Sequence, residues 1–107
     1  MDVLEQREAA FEKRFAMQEE FRFRALARRN KALGLWAASL IGFDGAEADA
    51  YADVLVEEQV DGADDEVLAK ALVAEFANVK VDMSERRILQ KMAVALARAE
   101  IELDEDR

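Results

Sequence analysis

A chain of 107 residues, 52% of them hydrophobic, can form one domain with a single modest core and is too short for two. Its 24 Asp and Glu outnumber its 15 Lys and Arg, and the formal charge of -9 argues against duplex DNA, RNA or an anionic membrane as the main partner. With neither Cys nor His, the chain lacks the means for disulfides, thiol or histidine catalysis, the common zinc sites and a histidine pH switch.

Zero proline, 4 Gly and abundant Ala, Leu, Glu and Arg predict an all-α fold, because these residues lose little freedom in a helix. The first periodic stretch runs from about Leu4 to Ile41 and stops at Gly42. Asp44-Gly45-Ala46-Glu47 reads as a capping box opening a second, short helix, with Ala50, Tyr51, Val54 and Leu55 as its apolar face and Gly62 just past its end. Asp64 and Asp65 can cap a third helix, whose face is Leu68, Ala71, Leu72 and Phe76 and whose stop is Asn78. Val79-Lys80-Val81 reads as an extended connector. Ser84 or Asp82 caps the last helix, whose stripe of Ile88, Met92, Ala95, Leu96, Ala99 and Leu103 runs to the acidic tail Asp104-Glu105-Asp106. Connections this short predict a small four-helix bundle. No basic leader and no long apolar run is visible, so a cytoplasmic protein without a signal peptide or membrane span is expected.

The first helix carries an interrupted stripe. Leu4, Phe11 and Phe15 share a face with Leu26, Leu33, Trp36 and Leu40, but Gln18, Arg22 and Arg29 fall between them. Residues 26–40 then belong to the core, and the limb before about Gln18 has an apolar face that the other helices are too short to cover. Charge divides along the same line. Residues 1–31 hold 8 basic and 6 acidic side chains, net +2, whereas residues 32–107 hold 7 and 18, net -11.

Two clusters carry candidate function. Phe11, Phe15, Phe21 and Phe23 fall within 13 residues, beside Glu8, Glu12 and Lys13. They read either as an amphipathic helix folding onto its own bundle or as a helix-in-groove ligand anchored by Phe11 and Phe15 at i, i+4. Arg22, Arg24, Arg28, Arg29 and Lys31 form the dense basic cluster. They read either as a solvated face neutralising an acidic body, or as a contact for an acidic partner or the phosphates of a nucleotide such as ATP or ADP. No glycine-rich phosphate loop accompanies them. The acidic groups around Asp44, Asp61 and Asp104 match no calcium loop, so capping and solvation account for them and no metal or cofactor is expected. Trp36, next to Gly34 and Ala37-Ala38, reads as part of a close helix crossing in the core.

The run from Phe21 to Ala38, FRFRALARRNKALGLWAA, closely resembles the signature of the alphaproteobacterial F-type ATP synthase inhibitor zeta subunit family. The resemblance extends upstream through Arg7-Glu8-Ala9-Ala10-Phe11-Glu12-Lys13-Arg14-Phe15-Ala16, and downstream through Ala48 to Tyr51, the turn at Gly62, Val81-Asp82-Met83-Ser84 and Lys91-Met92. It implies a non-enzymatic inhibitor of ATP hydrolysis, built as an arm over residues 1–19 and a four-helix bundle over 20–107. It further implies that the arm enters a catalytic α/β interface of the soluble sector beside the central stalk and blocks hydrolytic rotation. The matching arm positions are Arg7, Glu8, Phe11, Glu12, Lys13 and Phe15. Such a protein is peripheral to the inner membrane through the synthase. An isolated helix of this length is marginal in water, so the free arm is expected to be largely disordered.

Overall fold

The computed structural model describes residues 2–106. Four helices follow one another: α1 over Val3–Ile41, α2 over Gly45–Val60, α3 over Asp65–Asn78 and α4 over Glu85–Glu105. The molecule measures 63 × 25 × 22 Å. Its long dimension is set by α1, whose 39 residues at 1.5 Å each extend about 58 Å. α1 packs along α2 and α4, α3 closes against α4, and α1 meets α3 at only a few points.

The ends of the helices follow local chemistry in most places. Asp2 caps α1 by accepting from the Glu5 amide at 2.7 Å, and Gly42 ends it in the left-handed region at φ 105°. Asp64 accepts from the Val67 amide at 2.9 Å, and Ser84 from the Arg87 amide at 3.1 Å. Asp44 holds the cap position of α2 without making the side-chain bond of a capping box, because Gly45 enters the helix at φ 52° and turns the first-turn amides away from it. Residues 79–81 form a tight turn rather than an extended connector. Lys80, two residues past the last residue of α3, takes a left-handed conformation at φ 62°, and the Val81 amide donates back to the Phe76 carbonyl at 2.8 Å.

The core gathers Leu33 and Ala37 of α1, Leu55 of α2, Leu68, Ala69, Leu72 and Phe76 of α3, and Ile88 and Met92 of α4. Two helical faces sit one step from the sequence reading. In α2 the buried residues are Ala48, Ala52 and Leu55, with Ala50 and Val54 exposed; in α3 Ala69 is buried and Ala71 is not. α1 and α2 cross at Gly34, where a Cβ would lie 2.5 Å from the Ala52 Cα. Trp36 stands edge-on to Phe76 at 5.7 Å between ring centres and is only half-buried, while the small-residue crossing belongs to Gly34 and Ala52. Tyr51, half-buried, donates its hydroxyl to Glu75, and burial together with that carboxylate raises its pKa above the usual range.

Residues 3–19 are helical, in unbroken continuation of the docked part of α1, rather than disordered. The bundle holds residues 25–38 and so removes the nucleation cost that makes an isolated helix marginal. The arm needs only propagation through good helix formers.

Candidate functional site

Every side chain described before Phe21 is exposed, and the first buried residue of α1 is Ala25. The reason is length. α4 is 21 residues and runs back along α1 as far as a shallow cleft that Leu103 and Asp106 line together with Met17, Glu20, Phe21 and Arg24. Ahead of that point α1 projects as a free-standing limb. On it Phe11 is 68% exposed and Phe15 58%, one turn apart, with Leu4 in line with them a further two turns toward the N-terminus. Arg7, Glu8, Glu12 and Lys13 are exposed around them. Burying each ring against a partner contributes about 2 kcal/mol. The limb thus presents a ready apolar stripe that its own bundle does not cover.

The basic cluster is distributed rather than gathered. Residues 28, 29 and 31 point in three directions around α1, and each meets a different helix. Arg28 donates to Asp106 at 3.1 Å and Glu102 at 3.4 Å on α4. Arg29, 2% exposed, makes a two-pronged bond to Asp65 of α3 at 2.8 and 3.0 Å, and its Nε donates to the Asn30 side chain at 2.9 Å. Lys31 reaches Asp53 of α2 at 2.7 Å, and that bond raises its pKa. Arg24 bonds Glu20 at 2.7 Å on the surface of α1 itself, and Arg22 is exposed beside the Arg29–Asp65 pair. Three of the five cations are thus the struts by which α1 holds its neighbours.

A groove of about 500 Å³ lies between α1 and α4, with Leu35, Trp36 and Val94 on its apolar lining and Arg28, Lys31, Lys91 and Arg98 about it. The Lys91 ammonium sits 5.3 Å from the Trp36 ring centre, within cation–π range. Lys91 and Arg98 were missed as site candidates, although their spacing of seven on α4 places them on one face. Among the described residues no group of three carboxylates is placed to hold a metal, and no helix is long and apolar enough to cross a membrane.

Among curated proteins none matches the chain. The family described as ATPase inhibitor subunit zeta matches it over residues 1–102, from the exposed limb through nearly all of α4. The chain, whose long helix carries an uncovered aromatic stripe out from a small acidic bundle, therefore belongs to the ATPase inhibitor subunit zeta family.

Proposed function

We propose that this protein inhibits ATP hydrolysis by the F-type ATP synthase through residues 1–19, with residues 20–107 as the carrier. The arm inserts at a catalytic α/β interface of the soluble sector beside the central stalk and blocks rotation in the hydrolytic direction. Phe11 and Phe15 anchor it, Arg7, Glu8 and Glu12 flank the anchors, and Lys13 stands on the opposite face of the helix. The observation that carries this reading is the exposure of both rings on a helix that the rest of the chain leaves uncovered, in a chain of an inhibitor family. A regulatory protein of this kind performs no chemistry itself and sits at the cytoplasmic face of the membrane through its partner.

The test is ATP hydrolysis by the isolated catalytic sector, titrated with the full chain, with a chain lacking residues 1–19 and with Phe11→Asp. Inhibition by the full chain alone is expected, with the bundle of both variants still folded. Equal inhibition by all three would remove the arm from the mechanism.

The groove between α1 and α4 favours a second reading, in which ATP or ADP binds. Here the phosphates meet Arg28, Lys31 and Arg98 and the base lies on the apolar side with Trp36. This draws in Arg28 and Lys31 of the basic cluster, which would exchange their bonds to Glu102 and Asp106 and to Asp53 for phosphate oxygens, whereas Arg29 is buried against Asp65. Amide shifts on adding ATP that centre on residues 28–36 and 91–98 support it, and shifts confined to the arm exclude it.

A further inference from the structure

The charges that flank the apolar stripe of the arm are sorted by side, while Lys13 lies on the opposite face. At about 100° per residue, Leu4, Phe11 and Phe15 fall within roughly 40° of one another on α1. Glu5, Glu8, Glu12 and Glu19 line one flank of that stripe, and Arg7 and Arg14 line the other. All six are exposed, and none forms an ion pair among the described residues.

Their spacing withholds internal compensation. Glu5 is followed at i+3 by Glu8 and Glu8 at i+4 by Glu12, while no residue from 3 to 15 has an opposite charge three or four positions on. Like charges at that spacing weaken a free helix, whereas opposite ones support it. Just beyond the arm the pattern changes, for Glu20 pairs with Arg24 in the usual i, i+4 manner. The arm therefore carries two unneutralised rows of opposite sign with an apolar stripe between them.

A second copy of the chain does not match this pattern. Two arms packed antiparallel would face glutamate row to glutamate row and arginine row to arginine row. Two arms packed in parallel would bring together two bodies, each carrying net -11 over residues 32–107.

We propose that the arm docks in a groove of the ATPase catalytic sector that has an apolar floor, a basic wall facing Glu8, Glu12 and Glu19, and an acidic wall facing Arg7 and Arg14. The two-signed pattern sets the direction in which the arm lies. Turning the helix end for end on the same floor exchanges its flanks and places each row against a wall of its own sign, which opposes entry. This rests on the reading that the arm is the inhibitory element.

The test compares two charge reversals in the full chain against the catalytic sector: Glu8→Arg with Glu12→Arg, and Arg7→Glu with Arg14→Glu. Both are expected to raise the half-inhibitory concentration about tenfold or more in low salt, with the difference narrowing near 0.5 M salt. A single-signed groove would give effects of opposite direction, one reversal weakening inhibition and the other strengthening it, and that overturns the proposal. No effect of either reversal overturns it too. Helical content by circular dichroism verifies that the arm still folds in each variant. Phe11→Asp separates the two levels: inhibition that survives this change defeats the arm as inhibitor, whereas inhibition lost with Phe11→Asp but indifferent to both reversals defeats only the two-walled groove.

Discussion

Arg29 is the residue whose role differs most from its appearance in the sequence. Between Arg28 and Lys31 it looks like one more surface cation, yet it is 2% exposed and its guanidinium is held by Asp65 and Asn30. A buried guanidinium is tolerated only when its donors are engaged, because stripping water from an unpaired charge costs far more than the pair gains. Asp65 is half-exposed, so water moderates the attraction, but among the described residues it is the one carboxylate bonded to Arg29. Asp65→Asn keeps the shape and removes the charge, and is expected to lower unfolding free energy by about 2 kcal/mol in urea titrations. Glu20→Gln, which breaks the exposed pair with Arg24, is expected to stay within about 0.5 kcal/mol of the parent. Equal effects would mean that Arg29 is no better shielded than Arg24. Residue order could not disclose this, since whether a cation is buried depends on which carboxylate a distant turn delivers, and Asp65 lies 36 positions away.

At the scale of elements, periodicity disclosed all four helices and the stops at Gly42 and Gly62, because glycine and interrupted stripes act locally. What it misplaced were features set by neighbours. The capping bond of Asp44 is lost to the left-handed entry at Gly45, and the turn after α3 puts its left-handed residue at Lys80, where the chain must bend sharply enough for Val81 to return to Phe76. The face of α2 shifted toward its alanines because Gly34 admits Ala52 close against the backbone of α1. That crossing has a direct check. Gly34→Ala gains about 1 kcal/mol of helix propensity, yet its new methyl would stand 2.5 Å from the Ala52 Cα and 2.9 Å from its Cβ, so α2 must retreat along its contact with α1. A net loss of about 2 kcal/mol is expected by urea denaturation. Adding Ala52→Gly should restore little of it, because the nearest atom is backbone and remains in place.

At the scale of the whole molecule, α1 is one helix with two different supports. From Ala25 onward it is held by burial against three other helices; before about Met17, among the described residues, it is held by its own hydrogen bonds and by the nucleus the docked part supplies. The uncovered stripe could be read from the sequence, because Leu4, Phe11 and Phe15 continue a face that the later helices are too short to follow. That the limb extends the helix could not be read from the marginal stability of an isolated peptide, since the peptide lacks that nucleus. Removing residues 1–19 should then change the unfolding free energy by no more than about 0.5 kcal/mol, because no core contact goes with them. In the intact chain, amide exchange should slow progressively from Leu4 toward Phe21 and reach the protection of global unfolding only near residues 29–38. Protection across residues 4–15 equal to that of the core would contradict a singly supported helix and would require the arm to be packed on the bundle. A graded helix has a consequence for inhibition: docking must finish ordering the arm, so the binding energy of Phe11 and Phe15 is partly offset by that ordering. Substitutions that raise helix propensity at exposed positions away from the stripe, such as Val3→Ala, are expected to lower the half-inhibitory concentration.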